Sequence, residues 1–355
     1  MRLRVLAENF LERLVLRLNA VPEPLFETQM AFSMARSIMA AVKLGIFEAA
    51  GDGPRTAIAI AGACQTNLGA TEKLLNALVA CRYFLHRNGV YTLTPKSRKW
   101  LLRRSPQNLC DKVLFQFFEW ETVGTYEAFI KTGTATRDHA TIEHDEYWVL
   151  YQRAMRSLAQ LWATDVAARF PMPPLARDLL DIGGSHGYYA VCLCRKYPNL
   201  NAVVLDLPNA VKQAAPLLAA ERMGDRVTHR AGNALTDDLG EDCVDIVFMS
   251  QLVHHFTDEQ NRVLMQKIAR ALRPNGVCVT LDYLSPATPG AGDQAAALLD
   301  VYFGMLSESG TWSLTNMQAW LRSAGLVPQA PIRLRNMPGG SMVVGTKVRV
   351  RGQSN

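Results

Sequence analysis

Leu179-Leu-Asp-Ile-Gly-Gly-Ser-His-Gly-Tyr-Tyr-Ala190 carries the clearest signal of the fold class. A short apolar strand ends at Ile182, a glycine-rich turn follows, and a helix begins near Gly187. Ligands of open α/β sheets bind at the carboxyl ends of the strands. This turn is therefore the expected place for a cofactor.

The spacing of the glycines separates two classes of cofactor. A dinucleotide fingerprint needs glycines at 183, 185 and 188, but the chain has Ser185 and Tyr188 at the last two positions. The alternative spacing, acid-x-Gly-x-Gly-x-Gly, is matched by Asp181, Gly183 and Gly187, with Ser185 in the middle. That spacing suits a ligand with an amino-acid end and no pyrophosphate, because glycine lets a ligand pass close to the backbone. Asp181 then either orders the turn or holds the ammonium group of the ligand through water.

Strands and helices alternate on both sides of this turn, which predicts a parallel sheet covered by helices on both faces. The predicted parallel strands are Asp178–Ile182, Ala202–Leu205, Val227–His229, Val244–Met249 and Val277–Asp282. Two further strands, at Val327–Leu334 and Ser341–Val348, indicate an antiparallel hairpin around Asn336-Met-Pro-Gly-Gly.

Polar residues follow the next two strands. Asp206 ends its strand 25 residues after Asp181, where a carboxylate can accept both hydroxyls of a ribose, or can cap the helix that begins at Pro208. Beside the glycine turn, ribose binding is the favoured interpretation. Asn233 follows the third strand and either accepts a hydrogen bond from an adenine amino group or is a plain turn residue.

His254 and His255 follow the fourth strand, on the expected cofactor side of the sheet. A single histidine is more often a satisfied core or surface residue than a catalyst. A histidine just past a strand end is a better candidate for a general base, because imidazole accepts a proton near neutral pH.

The N-terminal third has a different organisation. A long apolar helix, Ala31–Leu44, precedes a helix, a turn, a second helix and two short strands joined at Asn88-Gly89, which is the order of a winged-helix module. The first 110 residues hold 15 Lys and Arg against 7 Asp and Glu, so the net charge of +6 arises there. Such a surface can bind nucleic acid or can simply be solvated.

The composition of the chain excludes several classes of protein. The 355 residues are 49% hydrophobic and 20% charged, which excludes a mainly disordered chain. No apolar run is long enough for a membrane span, and no secretory signal precedes the first helix. The seven cysteines are widely spread and form no C-x-x-C pair, which favours buried, reduced thiols in a cytoplasmic protein over disulfides or a zinc site.

Taken together, the segments from 178 to 286, after a winged-helix-like region, resemble the S-adenosylmethionine-dependent O-methyltransferases of the plant caffeate and bacterial polyketide type. The resemblance implies a Rossmann-like class I methyltransferase sheet and three parts: residues 1–105 for dimerisation, a helical linker at 106–172 lining the substrate pocket, and a catalytic domain at 173–355. The linker is rich in aromatic residues, and we expect a few of them to line a pocket for a flat, apolar ligand.

The resemblance also implies roles for single residues. The general base falls on His254, and the carboxylate that orients it falls on Asp282. Cofactor-binding positions are Asp181, Gly183, Gly184, Gly187, Asp206, Leu207, Asn233, Ala234 and Ser250. Substrate-binding positions are Met155, His255, Tyr302 and Met305. The chain departs from the family at several positions. Asp282 stands where the family usually has Glu, and Asn233-Ala234 replaces the usual Asp-Met or Asp-Phe pair at adenine. His255 replaces Asp, Ser250 replaces Lys, and Ser313 stands at the place of a second Glu.

The expected activity is transfer of a methyl group from S-adenosylmethionine to a hydroxyl of a small aromatic or polyketide-like acceptor. We expect a homodimer that uses no metal and binds no nucleic acid. Two rival functions are a winged-helix DNA-binding regulator, and methyl transfer to nitrogen or carbon, or another reaction, on the same scaffold. The presumed second helix, near Ala70–Tyr83, offers few residues that read base edges, which disfavours the regulator.

Overall fold

A computed structural model of the chain describes residues 5–135, 145–285, 288, 294–307, 309–337 and 339–349. The chain divides near residue 117 into two compact units. The three-part division expected from the sequence, with boundaries at residues 105 and 172, stays a prediction.

The N-terminal unit is mainly helical. Its elements are α1 (Phe10–Arg17), α2 (Glu23–Leu25), a π-helical turn (Phe26–Met30), α3 (Ala31–Lys43), α4 (Ile46–Ala49), α5 (Ala57–Cys64), α6 (Leu68–Ala80), β1 (Phe84–Arg87), β2 (Val90–Leu93) and α7 (Pro95–Trp100). Strands β1 and β2 pair antiparallel, and Asn88 and Gly89 both take positive φ between them, at 50° and 76°. Asn-Gly adopts such a turn readily, so the predicted hairpin is confirmed.

The second unit contains the large sheet. After α8 (Cys110–Val123), its elements are α9 (Tyr126–Thr132), α10 (Asp145–Arg169), β3 (Asp178–Ile182), α11 (Tyr188–Lys196), β4 (Asn201–Asp206), α12 (Pro208–Ala220), a 3₁₀ turn (Gly224–Arg226), β5 (Val227–Ala231), β6 (Val244–Ser250), a second 3₁₀ turn (Val253–His255), α13 (Asp258–Ala271), β7 (Leu272–Tyr283), α14 (Gln294–Leu306), α15 (Leu314–Ser323), β8 (Leu326–Pro328), β9 (Ile332–Arg333) and β10 (Gly340–Lys347).

The strands of this sheet lie in the order β5-β4-β3-β6-β7-β10-β8, with β9 also paired to β10. Strands β3 to β7 run parallel, and β10 runs antiparallel to β7, β8 and β9. The chain therefore reverses its sheet order between β5 and β6, with β3 at the switch point. The predicted α/β fold is confirmed, and the glycine turn after β3 lies where open sheets bind ligands.

The predicted extent of one strand was wrong. The stretch Val327–Leu334 forms two short strands, β8 and β9, and not one. Pro328 and Pro331 flank the break, and a proline has no N–H to donate to the ladder. Both short strands still pair antiparallel with β10, so the expected hairpin topology is confirmed.

Two apolar clusters cover the two faces of the sheet. The first packs β3, β4, β6 and β7 against α10 and α11, around Phe248, Val166 and Leu193. The second packs the opposite face against α13 and α15, around Trp320 and Ile268. Each face is thus closed by helices, which leaves the carboxyl ends of the parallel strands as the place for ligand binding.

All seven cysteines are free thiols. Cys110, Cys194 and Cys278 are buried as expected, but Cys243 is exposed because it lies in the turn before β6. Among the described residues, no helix is long and apolar enough to cross a membrane. The cytoplasmic location stays a prediction.

We expect Gly345→Ala to lower the free energy of unfolding by about 1–3 kcal/mol, the usual cost of overpacking a core. A Cβ at Gly345 would lie 2.6 Å from Leu321 Cδ2, where α15 packs on β10. Gly62→Ala is the control, because a Cβ there meets nothing within 4 Å and alanine is the better helix former. Urea denaturation followed by circular dichroism measures both variants. Equal stability of Gly345→Ala and the wild type would contradict this packing.

Candidate active site

The predicted chemistry-bearing residues meet at one edge of the sheet. Strands β5, β4, β3, β6 and β7 are neighbours in this order and run parallel, so their carboxyl ends lie side by side. Those ends carry Asn233, Asp206, Gly183, Ser250 and Asp282 respectively. The fold thus brings together residues that are up to 99 positions apart in the sequence.

The glycines of the turn leave little or no room for a side chain. A Cβ at Gly184 would lie 2.5 Å from Asp181 Cγ and 2.8 Å from Val204 Cγ1. Gly183 and Gly187 take φ of +66° and +71°, the left-handed region that glycine adopts without strain. These three positions therefore require glycine, for close approach at Gly184 and for backbone conformation at the other two.

Asp181 lies fully buried beneath this turn. Within the described residues, neither of its carboxyl oxygens has a hydrogen-bond partner. Burial, with a smaller contribution from the charge of Asp206, raises the pKa of Asp181 well above its usual value. A buried carboxyl group without a partner is well suited to receive a cation such as an ammonium group.

Asp206 faces the same turn from the end of β4. Its Oδ2 accepts a hydrogen bond from the backbone N–H of Ser185 at 2.8 Å, and its Oδ1 accepts one from that of Leu207 at 2.7 Å. Burial raises the pKa of Asp206 to about 6, although these two hydrogen bonds act to lower it. The N-cap of α12 is Leu207 and no side chain caps that helix, so the capping alternative for Asp206 is wrong.

The turn after β5 is closed by its own residues. Asn233 is exposed, its Oδ1 accepts from the backbone N–H of Leu235 at 3.0 Å, and its own N–H donates to Asp237 at 2.9 Å. Ala234 is buried, and its carbonyl accepts from Lys267 Nζ at 2.7 Å. Contacts of this kind are expected if Asn233 is a plain turn residue. The role of Asn233 and Ala234 in binding adenine stays a prediction.

Ser250 ends β6 and leads into the histidine segment. It is half-buried. The next residue, Gln251, takes φ of 52° while its N–H donates to the carbonyl of Leu281 at 2.7 Å. The chain thus turns sharply at this point, and the turn carries His254 toward β7.

His254 and Asp282 form a buried pair. His254 Nδ1 lies 2.9 Å from both Oδ1 and Oδ2 of Asp282, and the two side chains are 2% and 1% exposed. The carboxylate accepts the Nδ1 proton, which fixes the tautomer and leaves Nε2 as the proton-accepting nitrogen. Asp282 is held in turn by the backbone N–H of Tyr283, which donates to its Oδ1 at 2.8 Å.

Side chains from three other elements hold the backbone around His254. The carbonyl of Val253 accepts from Asn261 Nδ2 at 3.0 Å and from Trp312 Nε1 at 3.1 Å. The carbonyl of His254 itself accepts from Ser307 Oγ at 3.1 Å. Asn261 was not predicted from the sequence, since nothing in its local pattern distinguishes it from a polar residue on the outer face of a helix.

Aromatic rings surround the imidazole. Phe303 lies face to face with His254, with ring centroids 3.8 Å apart and an interplanar angle of 14°. The His255 ring is tilted, with its centroid 4.4 Å from that of His254, and it is less buried. The two neighbouring histidines therefore have different surroundings: His254 is buried against Asp282, whereas His255 is half-buried.

The other predicted substrate residues have mixed surroundings. Met155 on α10 is half-buried. Tyr302 is half-buried and its hydroxyl donates to Glu119 at 3.2 Å. Met305 is fully buried. Ser313 is the N-cap of α15, where its Oγ accepts from the backbone N–H of Asn316 at 3.2 Å, so its side chain serves the helix.

Three residues at the glycine turn were missed by the sequence analysis. Gln152 on α10 hydrogen-bonds Ser185 Oγ, and His229 Nε2 lies 2.9 Å from the carbonyl of Ser185. His186 accepts a hydrogen bond from the N–H of Tyr188 at 3.0 Å. Burial and, secondarily, the Arg156 charge lower the pKa of His186 to about 3. The one available signal in the sequence was Ser185, because a serine at a position where the motif has glycine indicates that its hydroxyl has a partner.

These surroundings fit S-adenosylmethionine. The orphaned oxygens of Asp181 complement an ammonium group, and Asp206 supplies a carboxylate for ribose hydroxyls. A Cβ at Gly184 would lie against Asp181 and Val204, so glycine lets the backbone of the turn pack directly on the buried acid.

The two units match two family models. Residues 26–103 match an O-methyltransferase dimerisation domain, and residues 121–326 match an O-methyltransferase domain.

Two relatives with known activities are similar to this protein over nearly its whole chain. An N,N-dimethyltransferase of Streptomyces rimosus is 25% identical over 91% of this chain and 96% of its own length. A 3-hydroxy-5-methyl-1-naphthoate 3-O-methyltransferase of Streptomyces sahachiroi is 26% identical over 88% and 91%. Among solved structures, human N-acetylserotonin methyltransferase in complex with S-adenosylmethionine has a TM-score of 0.81 at 18% identity, over 97% of this chain and 99% of that one, which shows a shared fold.

The methyltransferase model alone spans more than half of the chain, in the unit that holds the glycine turn, Asp206 and the His254–Asp282 pair. The chain therefore belongs to the O-methyltransferase family, whose methyl donor is S-adenosylmethionine.

Proposed function

We propose that the protein transfers the methyl group of S-adenosylmethionine to a hydroxyl of a small aromatic acceptor, with His254 as general base. The observation that carries this proposal is the buried His254–Asp282 pair at the same sheet edge as the glycine turn. The names of two relatives, a naphthoate 3-O-methyltransferase and a mitomycin 6-O-methyltransferase, support an aromatic hydroxyl as the methyl acceptor.

The cofactor supplies a methyl group that is already activated for transfer. The tasks left to the chain are to align the acceptor oxygen and to remove its proton. Alignment of reacting groups contributes up to about 7–11 kcal/mol in favourable cases. A phenol has a pKa of about 10 and is mostly protonated at neutral pH, so a base adds roughly 10²–10⁴-fold.

His254 is placed to act as this base. With its Nδ1–H donating a hydrogen bond to the Asp282 carboxylate, the imidazole has Nε2 available to accept the proton of the acceptor hydroxyl. After proton transfer, the Asp282 carboxylate stabilises the imidazolium at a site that excludes water. Phe303, stacked on the ring, restricts its rotation. His254 is thus a catalytic residue and Asp282 a positioning residue.

The acceptor pocket is proposed to include His255, Met155, Tyr302 and Met305. Met155, His255 and Tyr302 are half-buried aromatic and thioether groups that suit a planar, apolar acceptor, whereas Met305 is fully buried behind the surface. Proton removal by His254 requires no metal ion. Within the described part of the chain, no three His, Cys, Asp or Glu residues are grouped as metal ligands.

The second candidate is transfer to nitrogen, which the N,N-dimethyltransferase among the relatives favours. A neutral amine is already nucleophilic, so alignment suffices and a base contributes little. The two candidates differ in how strongly turnover depends on His254.

We also propose a homodimer formed through the N-terminal unit. This unit contains the match to the dimerisation domain, and within it α3 exposes large apolar side chains, including Phe32 at 53% and Met34 at 39%. Contiguous exposed apolar surface on a soluble protein marks an interaction site.

For the cofactor site, we expect the affinity for S-adenosylhomocysteine to fall about tenfold from pH 7.5 to pH 5. The pKa of Asp206 is raised to about 6 in the free protein, so protonation below that value removes the acceptor for the ribose hydroxyls. Isothermal titration calorimetry at both pH values measures this change. Asp206→Asn is the control: its amide does not titrate, so the tenfold change in affinity between the two pH values should disappear. A wild-type affinity independent of pH would count against the role of Asp206.

For the base, we expect His254→Ala to lower turnover by about 10²-fold or more while the cofactor affinity stays nearly unchanged. Turnover is measured with labelled S-adenosylmethionine and a panel of phenolic, polyketide and N-heteroaromatic acceptors, with and without a chelator, which should have no effect. His255→Ala is the matched control and should act mainly on the KM of the acceptor. If His254→Ala keeps most of its turnover, the general-base role is wrong and nitrogen transfer is the better account.

For the dimer, we expect light scattering at micromolar concentration to give twice the mass of the chain. Phe32→Asp should shift the protein toward monomer, because it places a charge on the apolar face of α3. Leu175→Asp changes an apolar residue that is 94% exposed and lies outside the N-terminal unit, so it should remain dimeric. A monomeric wild type would refute the proposal.

A further inference from the structure

Gln152 is a buried polar residue with half of its hydrogen-bonding capacity unused. It lies on α10, its side chain is fully buried, and its Oε1 accepts a hydrogen bond from Ser185 Oγ. Among the described residues, its Nε2 has no acceptor. A buried donor without a partner costs about 1–3 kcal/mol, so such a group calls for an explanation.

In this structure Ser185 contacts the oxygen end of the Gln152 amide. Ser185 takes φ of 54°, in the left-handed region, and three of its polar groups are already engaged. Its N–H donates to Asp206, its carbonyl contacts His229, and its hydroxyl donates to Gln152 Oε1. Because the oxygen of the amide is held by this hydroxyl, Nε2 is the atom left to donate elsewhere.

The unpartnered groups on either side of the turn are complementary to an amino acid. Asp181, beneath Gly184, offers acceptor oxygens, and Gln152, beside Ser185, offers a donor. A zwitterionic amino-acid group needs both, because its ammonium donates hydrogen bonds and its carboxylate accepts them. No other part of the cofactor carries a carboxylate.

We propose that Gln152 Nε2 donates a hydrogen bond to the carboxylate of the methionine portion of S-adenosylmethionine, which makes Gln152 a cofactor-binding residue. The proposal rests on the cofactor use stated above. It also accounts for Ser185: a glycine at this position would satisfy the backbone conformation, but only the hydroxyl of serine orients the amide of Gln152 toward donation.

Two probes separate this contact from the rest of the site. S-adenosylhomocysteine carries the amino-acid end, whereas 5′-methylthioadenosine keeps the adenine, the ribose and the sulfur but lacks the carboxylate. The informative variant is Gln152→Glu, which is isosteric and can still accept from Ser185 Oγ but replaces the donor with an oxygen. Isothermal titration calorimetry gives the affinity of each variant for both probes, with no need for turnover.

We expect Gln152→Glu to weaken S-adenosylhomocysteine by about 10- to 100-fold, the range for a lost hydrogen bond to a charged group, and to leave methylthioadenosine unchanged. Gln152→Leu, which removes the amide and adds no charge, should show the same selectivity with a smaller loss. Asp206→Ala is the contrasting variant and should weaken both probes alike, because both contain the ribose.

Three results would overturn the inference. Unchanged binding of S-adenosylhomocysteine by Gln152→Glu means that Nε2 does not contact the carboxylate. Equal weakening of both probes by Gln152→Glu and Gln152→Leu means that Gln152 only supports the turn. Failure of the wild type to bind S-adenosylhomocysteine at all contradicts the assignment of the cofactor site itself, a different outcome from the first two.

Discussion

The close approach of Gly184 to Asp181 is the constraint on which the cofactor site depends. Because a Cβ at Gly184 would collide with the carboxyl group at 2.5 Å, the turn can lie directly on the buried acid only where glycine is present. The next residue, Ser185, then enters the left-handed region, from which its N–H reaches Asp206 and its hydroxyl reaches Gln152. One backbone contact thus places residues from β3, β4 and α10 around the same turn.

Electrostatics follows from this geometry. Two carboxyl groups, Asp181 and Asp206, share a site that burial makes unfavourable for negative charge, and each pKa is raised as a result. A ligand that brings one ammonium group and two hydroxyl donors relieves this cost, since it supplies partners for both acids. This arrangement supports the proposed binding of S-adenosylmethionine at the two acids. His186, whose pKa burial lowers to about 3, is neutral near pH 7 and adds no positive charge there.

The proposed base, His254, is held in a different way. His254 and Asp282 come from the ends of neighbouring parallel strands, and side chains from α13, from Ser307 just after α14 and from the segment before α15 hold the backbone of the 3₁₀ turn. A base positioned in this way loses little conformational entropy when the acceptor binds. The cofactor site depends on glycine geometry, whereas the base depends on hydrogen bonds to its backbone.

The sequence alone predicts the sheet, the glycine turn and the placement of Asp206 and His254 at strand ends, because each of these is a local pattern: a strand followed by a specific residue type. The pairing of Asp282 with His254 was implied only by the family resemblance. The sequence also determined the hairpin at Asn88-Gly89, since that turn follows from two adjacent residues. It placed one strand across Pro328 and Pro331, where missing N–H groups break the ladder. Only the tertiary structure decided the roles of Gln152, Asn261 and Phe303. Their contacts lie 33, 8 and 49 residues away along the chain, at Ser185, Val253 and His254, and no local pattern records a partner that packing alone brings into reach.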